Sequence, residues 1–312
     1  MLETKNLCFS VEEGGKRKSI LKDISLVFDN NQFAVWSSYF IELSPEDMVR
    51  EFSAGGFSAT EFSDEHGLVM LARGNPEKEG EKLRAFAAEQ GFSFPQGHML
   101  LRADICSDGA VEILKPWCDL FLALGVRSGV LHAAGGAELS PEARFEKRAN
   151  TLTKLTEYVR GSDFTICLEN LRGATVPVTA DELNALINAV GDANLGICLD
   201  TGHLNIPKGD GRDESQRSFI AKAGKRLKAL HIADNDGSSD QHLMPYGRGR
   251  IDWREVMTAL GENGYDRLFN MEIPGENRCP LEVRREKLKY CRAVCDYLTG
   301  LAVTNAGVIS PR

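Results

Sequence analysis

The stretch FTICLENLRGATVPVTADELNALINAVGDANLGICLDTGH, residues 164–203, contains one complete unit of the fold. It opens on a short apolar run that stops at Glu169 and closes on a second, LGICLD, that stops at Asp200. Between them, Thr179-Ala180-Asp181-Glu182 has the form of a helix start, with a hydroxyl cap, acids in the first turn and a glutamate three residues on. Strand, helix and strand, with both strands apolar on both faces, is the βαβ unit of a buried parallel sheet.

Outward from this unit the alternation repeats. Strand candidates are FAVWSSYF (33–40), FSATEFS (57–63), FSFPQGH (92–98), GVRSGVLH (125–132), DFTICLE (163–169), NLGICLD (194–200), LKALHIA (227–233) and RLFNMEI (267–273). Ser44-Pro45-Glu46 and Ser140-Pro141-Glu142 start helices between them, and a closing helix is expected near 280–299. Eight alternating units predict an α/β fold, a (β/α)8 TIM barrel over 32–300, with its active site at the C-terminal ends of the strands. Residues 301–312 are read as a tail. Residues 1–31 fall outside the count and are read as a short N-terminal extension, an appended β-hairpin or a leader.

Composition narrows the class. Of 312 residues, 42% are hydrophobic and 26% charged, values of an ordinary globular chain. A formal net charge of -8 disfavours nucleic acid or an anionic membrane as partner and leaves small ligands. Eight cysteines without a CxxC pair, two of them (Cys167 and Cys198) inside apolar strands, fit reduced thiols better than a disulfide framework. The first residues carry no apolar signal segment and no run of about 18 apolar residues occurs, so a cytoplasmic location is expected.

Four polar residues terminate strand candidates: Glu169, Asp200, His231 in LKALHIADN and Glu272 in LFNMEIPGE. A carboxylate or imidazole closing a buried strand is costly unless paired, hydrogen-bonded or bound to a cation, and four recurrences point to one site. Alternation along the strand candidates adds a register expectation. If Glu169 faces inward, Cys167 and Thr165 do too, while Leu168, Ile166 and Phe164 face the helices; Cys198, Ala229 and Asn270 lie beneath the other three. Two Glu, one Asp and one His form a mixed oxygen and nitrogen shell suited to Mn²⁺, Mg²⁺ or Co²⁺, and less clearly to Zn²⁺.

These residues, with Leu168-Glu169-Asn170, Asp200-Thr201-Gly202-His203, His231-Ile232-Ala233-Asp234-Asn235, Asp240-Gln241-His242, Gly247-Arg248-Gly249 and Met271-Glu272, resemble the xylose isomerase-like barrel superfamily over about 33–299. It contains sugar (phosphate) isomerases and epimerases, ketose 3-epimerases and endonuclease IV-type enzymes. The resemblance implies a metal-dependent isomerase or epimerase acting on a ketose, inosose, keto-glycoside or sugar phosphate. It implies one metal, Mn²⁺ first, held by Glu169, Asp200, His231 and Glu272, with Glu169 and Glu272 as the acid and base. His203, His98, His132, His242 and Arg248 then read as substrate contacts, and Asn170, Asp234 and Asp240 as residues bracing the ligands. His98, His132, Asp240 and His242 also complete, in type and order, the nine-ligand set of the trinuclear zinc endonucleases, which is the rival reading. A non-catalytic barrel subunit is a third. Relatives pair through barrel helices, which implies a homo-oligomer.

The plainer readings are His66 as a solvated residue of the SDEHG turn, Trp36 and Trp117 as core packing, and Trp253 as a helix anchor. The start of the chain, up to residue 33, resembles the N-terminus of an ABC-transporter ATPase, but no GxxxxGK[ST] loop follows, so nucleotide hydrolysis is not expected.

Overall fold

A computed structural model describes residues 9–13, 16–21 and 33–304. Phe9–Glu13 (β1) and Lys16–Leu21 (β2) pair antiparallel with each other. The following strands are β3 (Phe33–Val35), β4 (Ala59–Phe62), β5 (Ser93–His98), β6 (Ser128–Leu131), β7 (Thr165–Glu169), β8 (Leu195–Asp200), β9 (Leu227–His231) and β10 (Phe269–Met271). β4 to β9 form one parallel sheet in sequence order, and β10 pairs parallel with β3. Two seams close the ring. Ile232 N donates to Asn270 O (2.8 Å) and Glu272 N to Ile232 O (3.0 Å), while the Thr60 hydroxyl donates to Val35 O at 2.6 Å. The result is the closed barrel that the eight-fold alternation predicts.

The helices are α1 (Pro45–Ala54), α2 (Asp64–Ala72), α3 (Pro76–Glu89), α4 (Ala110–Leu124), α5 (Pro141–Tyr158), α6 (Ala180–Val190), α7 (Thr201–Asn205), α8 (Gln216–Ala223), α9 (Trp253–Asn263) and α10 (Leu281–Thr304). Ser44 and Ser140 accept from Asp47 N and Ala143 N, as N-caps do. Thr179 and Glu182 complete a reciprocal capping box at α6. α10 continues through Thr304, past the expected barrel end at 300.

The first expected strand is corrected. Only Phe33–Val35 is extended, and Ser37–Phe40 is a 3₁₀ turn. Trp36 N makes the last ladder bond, to Met271 O, after which Tyr39 N donates to Trp36 O and Ile41 N to Ser38 O.

Alternation sorts the core as expected. Phe164, Ile166 and Leu168 belong to the large cluster shared with the helices, whereas Cys167, Cys198, Ala229 and Val130 form a separate cluster inside the barrel. Each large side chain buried outside the barrel contributes about 2 kcal/mol. Gly129 on β6 makes one such contact feasible, since a Cβ there would lie 2.3 Å from the Phe164 ring. Inside, the small residues leave depth for polar groups, and Asn270 is buried with neither amide atom hydrogen-bonded. No helix among the described residues is long and apolar enough to cross a membrane.

Candidate metal centre

β7, β8 and β9 end on Glu169, Asp200 and His231, and Glu272 follows β10 by one residue. All four side chains are buried, Glu272 least so at 7%. His231 Nδ1 lies 3.4 Å from Glu169 Oε2 and 3.3 Å from Glu272 Oε2. Glu169 is also met by His132 Nε2 at 3.0 Å, His98 Nε2 at 3.6 Å and His203 Nδ1 at 3.1 Å. Asp240 bridges His203 (3.1 Å) and His242 (3.4 Å). Residues scattered from 98 to 272 along the chain thus share one mouth.

Local structure aims each of them. Asp200 caps α7, its Oδ1 accepting from His203 N at 2.6 Å, so one short turn presents both side chains three residues apart. Asn170 fixes Asp200 from β7, donating to Asp200 O (3.0 Å) and accepting from Asp200 N (2.8 Å). His242 has left-handed backbone (φ 46°), which is unfavourable for a residue with a side chain. The bridge between Asp234 and Leu243 and the bond of its own Nδ1 to Glu272 O (2.8 Å) hold it there.

The histidines share a pattern. Nδ1 of His98, His203 and His242 each faces a backbone carbonyl, of Met99 (2.7 Å), Asn170 (3.0 Å) and Glu272 (2.8 Å). A carbonyl only accepts, so Nδ1 carries the proton; Nε2 of His98 then faces Glu169 and Nε2 of His203 and His242 faces Asp240, while His203 Nδ1 also lies beside Glu169. His231 is reversed, with Nε2 on Glu61 at 2.9 Å and Nδ1 toward the mouth. Tying one ring nitrogen outward is how proteins orient imidazole ligands.

The donor set fits a divalent cation. Asp200 Oδ2, His231 Nδ1 and Glu272 Oε2 are buried without a hydrogen-bond partner. One donor atom from each of these residues lies within 4.8 Å of the others; the same holds for Glu169, Asp200 and His203, and for His98, His132 and Glu169. Leaving such atoms unpaired costs about 1–3 kcal/mol each, which a cation would remove. Electrostatics divides the two glutamates. Burial pushes the Glu272 carboxyl up to about 8, partly offset by His231 and His242. Burial also opposes ionisation of Glu169, but the charges of His231 and His132 hold it well below the usual carboxylate range.

Residues 49–294 match the xylose isomerase-like TIM barrel family. The chain belongs to that family. Among its relatives, the fructoselysine 3-epimerase of Shigella flexneri is 25% identical over 181 residues, covering 56% of this chain and 63% of that protein. A probable endonuclease 4 of Mycoplasmopsis synoviae is 25% identical over 161 residues, covering 49% and 57%. The solved structure of an L-ribulose 3-epimerase superposes with a TM-score of 0.71 at 22% identity, covering 90% of this chain and 98% of that one, a likeness of fold. The matched stretch spans between 41% and 63% of three curated relatives.

Within this family barrel, several residues differ from their sequence reading. His66 is buried, not solvated: it sits in α2, its Nε2 on Leu43 O (3.3 Å) and its Nδ1 on the Ser37 hydroxyl (2.8 Å). Asp234 does not brace the ligands. Its carboxylate accepts from Trp253 Nε1 (2.8 Å) and Ile251 N (3.2 Å), fixing the loop before α9. Arg248 is exposed on that loop, with no bond to a cluster residue among the described contacts. Trp36 is only half-buried; its Nε1 donates to Ile273 O and its ring stacks on His242, centroids 6.1 Å apart. Trp117 and Trp253 are core. Glu61 was missed, because it lies within a strand instead of closing one; its signal was a carboxylate inside the apolar run FSATEFS, at a position alternating with Ala59.

Proposed function

We propose that the chain is a divalent-metal-dependent sugar isomerase or epimerase that abstracts and returns a proton beside a carbonyl of a ketose, inosose, keto-glycoside or sugar phosphate. The observation that carries this reading is the convergence of three orphaned buried atoms, Asp200 Oδ2, His231 Nδ1 and Glu272 Oε2, beside Glu169. Glu169, Asp200, His231 and Glu272 would hold the cation; a set of oxygen and imidazole donors without thiolate suits Mn²⁺ first. When bound, it supplies stabilisation of the negative charge that develops on the sugar oxygens.

Glu169, held ionised, is suited to take the proton from the sugar carbon. Glu272 is the partner carboxyl, suited to return one from the other side. His98, His132, His203 and His242 line the mouth as contacts for sugar hydroxyls, and Arg248 is a candidate substrate contact from the exposed loop before α9. The relation to a fructoselysine 3-epimerase supports the reaction class. The test is solvent deuterium uptake at the carbon next to the carbonyl, across a panel of ketoses and inososes with Mn²⁺. Exchange that disappears in Glu169→Gln is expected; no exchange on any member by the metal-loaded protein would overturn the proposal.

A second reading has its own support. The three donor triads overlap at Glu169 and Asp200, as a multinuclear centre for phosphodiester hydrolysis requires, and a probable endonuclease 4 is a relative. The net charge of -8 argues against a DNA substrate. Elemental analysis separates the two: one metal per chain supports the isomerase, three zincs with cleavage of abasic-site DNA the nuclease.

A further inference from the structure

Glu61 lies on β4, across the barrel from His231 on β9, and both side chains are fully buried. Glu61 Oε2 accepts from His231 Nε2 at 2.9 Å. The same oxygen takes a short bond from Gln96 Nε2, and Gln96 is itself held by Leu230 O at 3.2 Å, next to His231. The His98 ring lies nearly parallel to the His231 ring, centroids 5.6 Å apart and planes 20° apart. An ion pair serving only the core would leave both groups satisfied. Here His231 Nδ1 on one side and Glu61 Oε1 on the other both lack a hydrogen-bond partner.

We infer that Glu61 is a positioning residue: it fixes the proton of His231 on Nε2, sets the ring plane, and so presents Nδ1 to a cation at the barrel mouth. A ring pinned this way has one donor orientation, and a carboxylate behind an imidazole makes it a stronger ligand. Gln96 serves the same purpose one step back, since its amide donates to the same Glu61 oxygen that holds His231. The inference rests on the reading of the cluster as a metal site, but the lock on His231 is measurable without metal.

The experiment compares wild type with Glu61→Gln, which keeps an acceptor and removes the charge, and Glu61→Leu, which removes both at similar volume. Mn²⁺ affinity is measured by chelator competition, and the tautomer of the neutral His231 ring by ¹⁵N NMR of metal-free protein at alkaline pH. Wild type is expected to carry its proton on Nε2. Glu61→Gln should bind Mn²⁺ about tenfold more weakly, and Glu61→Leu up to about a hundredfold with mixed tautomers. Variants that bind within twofold of wild type, or a wild-type ring protonated on Nδ1, would overturn it. A wild type that binds no Mn²⁺ overturns the metal reading, and the tautomer then decides the lock alone. If Glu61→Leu fails to unfold cooperatively, Glu61→Gln carries the comparison.

Discussion

Glu169 and Glu272 are chemically alike and electrostatically opposite. Around Glu169, His132, His98 and His203 all approach within 3.6 Å, and the raised His98 and His203 imidazoles favour a negative charge there. Glu272 shares its histidines with Asp200 and Glu169, whose charges add to burial in keeping it protonated. Glu272→Gln preserves shape and hydrogen bonding but removes the titratable proton. Its kcat should fall by about 10²–10⁴ with KM little changed, read by steady-state kinetics on whichever ketose is turned over. An unchanged kcat would remove Glu272 from the chemistry.

The elements matter because they convert sequence spacing into aim. α7 is only five residues long, yet capping by Asp200 makes it the device that delivers His203. The segment after β9 works differently, relying on the Asp234 carboxylate gathering Trp253, Ile251 and Asn235 N (2.8 Å) around itself. Gly249 is obligatory in that arrangement, because a Cβ would sit 2.0 Å from the same carboxylate. Asp234→Ala strands a buried indole N–H and two buried backbone amides, so a loss of about 3 kcal/mol is expected in denaturant unfolding. Asp240 and His242 ride on this segment, so metal or substrate affinity should weaken in the same variant. Gly249→Ala should behave similarly, by overpacking instead of lost bonds.

At the scale of the whole molecule, the barrel gathers carboxylates and imidazoles from β5 to β10 into one buried cluster. Burial alone would lower the His98 imidazole, but its contact with Glu169 raises it to about 9. A histidine raised in the folded state stabilises fully below its unfolded value near 6.5, and that stabilisation is lost as pH climbs through about 9. Metal-free protein is therefore expected to show a falling Tm between pH 7 and 9. Added Mn²⁺ competes with protons for the donors, so its stabilisation should grow with pH; at 100 times Kd it amounts to about 2.7 kcal/mol. Calorimetry with and without chelator measures both trends. A Tm insensitive to metal at every pH would argue that the cluster holds none.

Much of this architecture is local, and local patterns survive in a linear sequence. Cys167 and Leu168 face opposite ways because a strand alternates every residue, and the α6 start follows from Thr179 and Glu182 alone. The eight strands and the strand-ending carboxylates were legible for that reason, as was the recurrence of Glu169, Asp200 and His231 about one βα unit apart. What the sequence alone could not reveal was which side chains meet across the barrel. Glu61 finds His231 170 positions away, His66 is buried because Ser37 and Leu43 fold over it, and Asp234 turns from the ligands to an indole 19 positions on. Periodicity reports only which face a residue takes relative to its neighbours in the chain. Ring closure sets the distance between faces of strands far apart in the chain, and that distance decides whether a carboxylate orients an imidazole, anchors a loop or stands ready for a cation.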